Sequence, residues 1–378
     1  GQAILPPMAG SSHLSARVIL LVIGFLVSEQ ARHLHFCCSD RRRHFAVPRR
    51  RGCVQVAAQL RASDLLDRRG WNAFDRYFGD LFGERWPALY DALSKPVEHV
   101  ARLSSFVDSE SARSQLPGGS TEVPDLDSVV AFKAPVNCNG LRLFEMRDAV
   151  ASTGKRERLS PFYFMDVASI HAVLALGVRP GDKVVDLCAA PGGKTLLIAE
   201  ALAEEGELVA NELSDPRRVR LCRVLVEYVP EDVRARFRVS GQDATRWSKN
   251  AKEQAAYDCV LLDAPCSSER HLMEKAASLA EWSANRVKVN AKRQESLLLA
   301  ALDTVRIGGR ILYSTCALAT LENDGVVERL LKRRPGRARV EQPCPRGEVG
   351  ETTDHGVLVL PDRCGAGPLY YSVLTRTA

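Results

Sequence analysis

The sequence contains no pair of cysteines at Cys-x-x-Cys spacing, although it has 11 cysteines in all. A disulfide framework or a structural zinc site needs paired spacing, so we expect neither disulfides nor a metal site. Most of these cysteines should be reduced, buried thiols, as in a protein of the cytosol or of an organelle matrix. Thiol chemistry is therefore the first chemistry to look for.

The chain also lacks a hydrophobic run long enough to cross a bilayer. The apolar stretch from Val18 to Val27 is about half the roughly 20 residues that a transmembrane helix needs. The 378 residues are 46% hydrophobic and 26% charged, which is typical of a globular protein and excludes collagen-like, fully disordered and polytopic membrane proteins. This length allows two domains.

Outside the first 60 residues there is no excess of positive charge. Residues 1–60 contain eight arginines, no lysine and two acids, which accounts for the whole net charge of +6, whereas residues 61–378 contain 44 basic and 44 acidic residues. An arginine-rich, acid-poor leader of this kind predicts a mitochondrial transit segment and therefore a location in the mitochondrial matrix. A secretory signal and a basic arm of the mature protein remain alternatives.

Composition divides the rest of the chain into three parts. Apolar residues at helical spacing between Trp71 and Phe106 predict a small helical module over residues 61–106. Residues 107–130 are rich in serine, glycine, proline and acids, which is typical of a linker. Residues 131–378 alternate between strand and helix patterns, which predicts an α/β domain whose parallel sheet carries helices on both faces. The expected strands are Lys183–Leu187, Glu207–Ala210, Phe237–Ser240, Cys259–Leu262 and Arg310–Ser314, with a final pair at Val357–Leu360 and Leu369–Leu374.

Ligands bind beyond the carboxyl ends of strands in such sheets, and polar residues stand there. The segment Asp186-Leu-Cys-Ala-Ala-Pro-Gly-Gly-Lys194 follows the first strand of the domain and opens a helix, but it is neither a phosphate-binding P-loop nor a Gly-x-Gly-x-x-Gly turn. Glu212 ends the next strand, where an acid can accept hydrogen bonds from ribose hydroxyls. Asp243 and Asp263 follow the third and fourth strands, so the three acids should converge on one cleft.

Two cysteines stand at the ends of adjacent strands beside this cleft. One is in Asp263-Ala-Pro-Cys266-Ser267, and the other is in Tyr313-Ser-Thr-Cys316. Either cysteine alone would be read as an inert core residue. A pair at such loops predicts reactive thiols, because exposed thiols react where a neighbour lowers their pKa.

The strings CAAPGGK, DAPCS and YSTC, in this order, resemble the Sun-domain (Nop/Sun) RNA 5-methylcytosine methyltransferases, and the similarity spans about residues 140–378. Three further features are similar to the mitochondrial ribosomal-RNA member: Tyr163-Phe-Met-Asp-Val-Ala-Ser169, Arg270-His271 and Gly367-Pro-Leu-Tyr-Tyr371. The chain departs from the family's usual DAPCSG, because Ser267 is followed by Ser268 instead of glycine.

The resemblance implies a Rossmann-like methyltransferase fold that binds S-adenosylmethionine. By matching positions, Glu212 would hold the ribose hydroxyls with Arg217 close by, and Asp243 would contact the adenine. The methionine moiety would be lined by Cys188, Gly192, Gly193 and Lys194. Cys316 would be the nucleophile, Cys266 would help to release the product, and Asp263 would lie near the methyl donor.

These residue types suit methylation at C5 of cytosine. A thiolate that adds to C6 makes C5 nucleophilic, and an acid near N3, here Asp263, stabilises the charge that develops on the ring. DNA cytosine-5 enzymes use the Pro-Cys thiol instead, so the roles of Cys266 and Cys316 stay open to reversal. The target base must leave its stack, which favours single-stranded or flexible RNA.

The predicted function is thus S-adenosylmethionine-dependent RNA (cytosine-5) methylation, with mitochondrial ribosomal RNA as the expected substrate. The alternatives are a transfer-RNA methyltransferase and a ribosome-assembly factor whose methylation is dispensable. An amino-group methyltransferase is disfavoured, because such enzymes have an Asn/Asp-Pro-Pro-aromatic motif where this sequence has DAPC. The expected partners are RNA and an assembly intermediate of either ribosomal subunit. The resemblance adds a mitochondrial termination-factor-like protein, and no membrane is expected.

Overall fold

The computed structural model describes residues 69–135, 159–202, 205–341 and 349–378. The predicted leader and the start of the predicted helical module lie outside these ranges. Among the described residues, none of the helices combines the length and the apolar character needed to span a bilayer.

The first described elements are helices, and they end earlier than the sequence pattern predicts. Helix α1 is Arg69–Phe82, a 3-10 turn covers Gly83–Arg85, and α2 is Trp86–Ser94. Lys95 is extended, with ψ 151°, because the residue before a proline is excluded from the helical region. The prediction of helix up to residue 106 is therefore wrong over Val100–Leu103, which is strand β1. All four residues of β1 are buried, and four residues, one of them Arg102, are too few for a hydrophobic period to separate strand from helix.

The segment with linker composition contains regular structure. It includes helix α3 (Ser109–Arg113), capped by Asp108, and strand β2 (Thr121–Glu122). Strands β3 (Ala131–Lys133) and β4 (Phe162–Met165) complete an antiparallel sheet in the order β2-β3-β1-β4. Asp125 and Asp127 adopt positive φ, so the turn-forming residues here bend short elements back on each other.

The predicted α/β sheet with helices on both faces is confirmed. The remaining helices are α4 Val167–Leu176, α5 Gly193–Ala201, α6 Asp215–Tyr228, α7 Glu231–Arg234, α8 Glu269–Met273, α9 Ala276–Ala280, α10 Ala284–Thr304, α11 Asp324–Arg333 and α12 Pro361–Cys364. The remaining strands are β5 Lys183–Asp186, β6 Glu207–Asn211, β7 Phe237–Ser240, β8 Tyr257–Asp263, β9 Val305–Thr315, β10 Ala338–Val340, β11 Glu351–Thr352, β12 Val357–Val359 and β13 Leu369–Arg376. Shorter 3-10 turns cover Ala244–Lys249, Ala251–Glu253 and Thr320–Glu322.

The large sheet is mixed, whereas the sequence pattern predicts a parallel one. Strands β7-β6-β5-β8-β9 are parallel, as expected. Strand β13 then adds to β9 in the antiparallel direction, and it is followed by β12 and β11, with β10 also paired to β13. The predicted final pair of strands therefore extends the sheet beyond β9.

Helices cover both faces of this sheet because consecutive strand residues point in opposite directions. Val184 and Leu208 belong to one apolar cluster, together with residues of α4, α5 and α6. Their neighbours Val185 and Val209 belong to a second cluster, together with residues of α10 and α11. The near-continuous apolar strands are thus explained by burial on both sides.

The N-terminal helices pack behind the loops that carry the two cysteines. Trp71, Phe74 and Phe78 share an apolar cluster with Trp282, which precedes α10, and with Leu318, which follows β9. Helix α1 packs so closely against the end of α9 that a Cβ at Gly70 would lie 2.1 Å from the carbonyl oxygen of Ala280. The helical module is therefore part of the support of this region.

The segments that contain Asp166, Arg270 and Gly367 are far apart in the chain but meet at one point. The backbone N–H of Gly367 donates to Asp166 Oδ2 at 2.8 Å. Arg270 donates to the Gly367 carbonyl oxygen and, at 2.8 Å, to that of Lys95. Arg270 thereby ties the loop after Cys266 to the start of β13 and to the end of α2.

Candidate active site

The carboxyl ends of the five parallel strands place polar residues along one edge of the sheet. Asp186 and Asp263 end β5 and β8, while Glu212, Asp243 and Cys316 come one to three residues after β6, β7 and β9. The sequence-predicted acids and thiols are therefore arranged on the edge where such sheets bind ligands.

The turn from β5 to α5 passes very close to its neighbours, and two glycines make this possible. Gly192 has φ 120°, and a Cβ there would lie 2.9 Å from Val224 Cγ1. A Cβ at Gly193 would lie 2.7 Å from Tyr163 Cε1. Since a larger residue at either position would force its surroundings to move, these glycines keep the turn tight.

Asp186 stabilises this turn through hydrogen bonds. Its carboxylate accepts a hydrogen bond from Thr195 Oγ1 at 2.7 Å and one from the Cys188 N–H at 3.3 Å. Burial raises the pKa of Asp186 to about 7. Asp186 is buried, so its role in the turn is to position residues that face the cleft.

One carboxylate oxygen of Glu212 is buried and accepts no hydrogen bond. The side chain is 4% exposed, and Oε1 accepts a hydrogen bond from the Ser214 N–H at 2.9 Å. Arg217 Nη1 lies 3.4 Å from Oε2, but Oε2 accepts no hydrogen bond. Arg217 also donates to the Ala190 carbonyl at 2.6 Å. A buried carboxylate oxygen without a donor is costly unless a ligand donates to it.

Asp243 lies at the exposed end of the cleft and caps a 3-10 turn. Its Oδ1 accepts hydrogen bonds from Thr245 Oγ1 at 2.8 Å and from the Thr245 N–H at 3.0 Å. The hydrogen bond from the Thr245 hydroxyl is the main reason why the pKa of Asp243 is lowered, and Arg246 and Arg293 also contribute. The sequence therefore located this acid correctly at the third strand end, where it is ionised.

Asp263 is held between a lysine and a serine. Lys194 Nζ lies 2.8 Å from Oδ2, and Ser314 Oγ donates to Oδ1 at 2.8 Å. Burial alone would lower the pKa of Lys194, yet the adjacent Asp263 raises it above its usual value. The ion pair thus joins the β5–α5 turn to the end of β8, and the charge of Asp263 is placed beside the two cysteines.

The two thiols are in contact. Cys266 Sγ and Cys316 Sγ are 3.2 Å apart, and Ser268 Oγ lies 3.3 Å from the first and 3.2 Å from the second. The hydrogen bond from Cys266 lowers the pKa of Cys316, and the Ser268 hydroxyl adds to this effect. The same sulfur–sulfur hydrogen bond, together with burial, raises the pKa of Cys266. The electrostatics therefore favour a thiolate at Cys316 and a thiol at Cys266.

Sequence reasoning missed the residues that support the two cysteine loops. Asn323 accepts from Thr315 Oγ1 at 2.6 Å and donates to the Ala317 carbonyl at 3.0 Å, so it brackets Cys316. Gln294 donates to the Pro265 carbonyl at 3.0 Å. No local sequence pattern predicts these hydrogen bonds.

A third missed residue is Glu322, which supports the Cys266 loop. It is buried and accepts from the Ser267 N–H at 3.1 Å and from Gln294 Nε2 at 2.7 Å. Burial is the main reason why the pKa of Glu322 is raised to about 7, and the nearby Glu269 raises it further. Only the position of Glu322 at the end of a loop after β9 could have suggested such a role.

Comparison with known proteins yields one family model and several similar proteins. The model described as 16S rRNA methyltransferase RsmB/F matches residues 173–375. The 5-cytosine rRNA methyltransferase NSUN4 of Bos taurus is 33% identical over 374 residues, which cover 87% of this chain and 94% of that protein. The mitochondrial tRNA (cytosine(34)-C(5))-methyltransferase of Danio rerio is 34% identical over 328 residues, which cover 80% of this chain and 86% of that protein.

Solved structures share the fold. NSun6 from Pyrococcus horikoshii with SFG has a TM-score of 0.63 at 18% identity, covering 81% of this chain and 98% of that chain. A methyltransferase homolog protein from Pyrococcus horikoshii has a TM-score of 0.59 at 19% identity, covering 80% of this chain and 94% of that chain.

Proposed function

The chain belongs to the 16S rRNA methyltransferase RsmB/F family, and from this premise we propose that it methylates C5 of a cytosine in mitochondrial ribosomal RNA. Membership confirms the Sun-domain resemblance of the sequence motifs. The chain is an S-adenosylmethionine-dependent RNA (cytosine-5) methyltransferase. The observation that carries the proposed chemistry is the pair of thiols, Cys266 and Cys316, in contact at 3.2 Å.

The cleft fits S-adenosylmethionine, which supplies an electrophilic methyl group when bound. The Glu212 oxygen that accepts no hydrogen bond is suited to a ribose hydroxyl, and Arg217 beside it fixes the carboxylate. The glycines at 192 and 193 let the turn pack closely against Val224 and Tyr163, which sets the position of the turn at the edge of the cleft. We assign Cys188, Gly192, Gly193 and Lys194 to the methionine moiety, Asp243 to the adenine, and Asp263 to the region of the methyl donor.

The proposed chemistry divides the work between the two thiols. Cys316, as the thiolate, adds to C6 of cytosine, and the electron pair of the C5–C6 double bond moves to make C5 nucleophilic. Negative charge then develops on the ring near N3, and we assign Asp263 to this position together with Lys194, whose Nζ lies 2.8 Å from Asp263 Oδ2 and which supplies the cation and the proton that stabilise this charge. After C5 has gained the methyl group, its proton passes to a base, and the C6–S bond breaks to return the Cys316 thiolate. Cys266 contacts the leaving sulfur, so we assign it to this last step.

The first experiment tests the two thiol roles. Cys316→Ala should reduce methylation of a cytosine-containing target RNA by at least about 1,000-fold, because the nucleophile is lost. Cys266→Ala should instead accumulate a covalent RNA–protein adduct, because release is slowed. The measurements are tritium transfer from labelled S-adenosylmethionine and adduct detection by denaturing electrophoresis.

The matched control for these variants is Cys222→Ala, since Cys222 is an exposed thiol on α6. It should methylate like the unmodified protein and form no stable adduct. A stable adduct with Cys316→Ala would reverse the two roles. Full activity of both cleft variants would contradict covalent catalysis altogether.

The second proposal concerns the substrate and its location. A ribosomal-RNA substrate is supported by the names of the family and of the Bos taurus relative. A location in mitochondria, and more narrowly in the matrix, is supported by the arginine-rich leader and by the word mitochondrial in the name of the Danio rerio relative. That relative also favours transfer RNA as the alternative substrate.

Bisulfite sequencing of mitochondrial RNA with and without the protein tests the substrate. We expect one ribosomal-RNA cytosine to lose methylation when the protein is deleted. Loss confined to a transfer-RNA cytosine would support the alternative. Complementation with Cys316→Ala is the control: if it restores ribosome assembly but not methylation, the chain acts as an assembly factor whose methylation is dispensable.

The proposed partners follow from this substrate. We expect the chain to bind an assembly intermediate of a ribosomal subunit, together with a termination-factor-like protein. Residues 61–378 carry no net charge, so a basic partner would add the long-range attraction for phosphates that this part of the chain lacks.

A further inference from the structure

Ser268 adopts a backbone conformation that side chains with a Cβ rarely adopt. Its φ is 53° and its ψ is 57°, in the left-handed region where glycine has no steric penalty. Other described residues with positive φ and a Cβ are Asp125, Asp127 and Ala255, which lie outside the cleft. Strained backbone of this kind is often found at functional sites, and Ser268 lies beside the two cysteines.

The hydroxyl lies between the two thiols. Ser268 Oγ is 3.2 Å from Cys316 Sγ and 3.3 Å from Cys266 Sγ, while the sulfurs are 3.2 Å from each other. The three atoms therefore form a compact triangle in which an O–H can donate to a sulfur anion. Helix α8 begins directly after Ser268, which fixes the direction of the side chain.

We propose that Ser268 is a positioning residue that donates a hydrogen bond to the Cys316 thiolate and holds it against Cys266 for attack on C6 of the target cytosine. A hydrogen bond to the charged form of a group favours that form, so the Ser268 hydroxyl increases the thiolate fraction at neutral pH. The role in methylation rests on the proposed function, whereas the effect on the thiol does not require RNA.

Other charged groups also act on Cys316. Asp263 at the end of β8 and Glu269 in α8 both disfavour the thiolate, while the cation of Lys194 from α5 interacts favourably with it. The donated hydrogen bonds have to outweigh the two carboxylates and the burial of the sulfur. Removal of one donor should therefore shift the titration of Cys316 measurably.

The test compares Ser268→Gly with the unmodified protein. Glycine tolerates φ 53° without strain and removes only the hydroxymethyl group. We expect the pH midpoint for iodoacetamide alkylation of Cys316, located by peptide mass spectrometry, to rise by about one unit. With S-adenosylmethionine and target RNA, kcat at neutral pH should fall by up to about tenfold and recover at higher pH, while KM for RNA stays within about twofold.

Ser268→Ala is the second variant, because it also lacks the hydroxyl but keeps a Cβ in the left-handed region. It should show the same upward shift in the alkylation midpoint together with a lower melting temperature. If the alkylation midpoint of Cys316 is unchanged in Ser268→Gly, the proposal is overturned. It is also overturned if Ser268→Ala loses methylation activity while Ser268→Gly is as active as the unmodified protein. A shifted midpoint in a protein that methylates no cytosine would tell against the proposed function instead.

Discussion

At the scale of the residue, one buried oxygen at the end of β6 supports the proposed contact with a ribose hydroxyl. Glu212 Oε1 is satisfied by the backbone of the next turn, but Oε2 accepts no hydrogen bond although it is buried. Burial of a carboxylate oxygen without a donor destabilises the free protein, and a ligand hydroxyl that donates to it recovers this energy. The sequence could predict an acid at this position, but not that one of its oxygens accepts no hydrogen bond.

This arrangement predicts the effect of Glu212→Gln. The substitution removes the charge that a ribose hydroxyl would meet, so the Kd for S-adenosylmethionine should rise by about 10- to 100-fold, as expected for the loss of a charge-assisted hydrogen bond. Calorimetric titration measures it. Asp215→Asn is the control, because it removes the same charge from an exposed position on α6. Equal affinities in both variants would mean that Glu212 does not contact the cofactor.

At the scale of the element, the sequence pattern predicts the bounds of strands well where tertiary structure and local preference agree. Strands β5 to β8 lie within about two residues of their predicted bounds. The inner strands β5, β6 and β8 are mostly buried and contain short apolar runs, whereas β7, at the edge of the sheet, has only Ser240 buried. Val100–Leu103 shows the opposite case. Four consecutive buried residues carry no periodicity that separates strand from helix, and only pairing with β3 and β4 makes them a strand.

The same reasoning explains which parts of the site could be predicted. Cys266 and Cys316 end neighbouring strands, so the order of the strands is enough to bring them together. The contacts of Gln294 and Asn323 with the cysteine loops depend on how α10 and the segment after β9 pack, and no spacing in the sequence encodes that packing. Elements and strand-end chemistry were therefore predictable, whereas the residues that orient the thiols were not.

At the scale of the whole molecule, RNA binding has to come from local charge because residues 61–378 are neutral overall. Helix α10 provides such a region. Its first half carries four exposed bases, namely Arg286, Lys288, Lys292 and Arg293, and no acid precedes Glu295. Gln294 of the same helix contacts the Cys266 loop, and Arg293 contributes to lowering the pKa of Asp243 after the Thr245 hydrogen bond. The basic half of α10 therefore lies beside the cleft.

We predict that this half of α10 contacts RNA phosphates. Lys292→Gln should weaken binding to target RNA and reduce the slope of log Kobs against log salt by about 0.7, because one counterion fewer is released from a single-stranded target. Fluorescence anisotropy over a salt series measures this. Lys332→Gln is the matched control, since it makes the same change on α11, where Lys332 already pairs with Glu328 at 2.6 Å. If both variants change the slope equally, the effect is general charge loss and α10 is not the contact. If only Lys292→Gln changes the slope, the basic half of α10 contacts RNA phosphates although residues 61–378 carry no net charge.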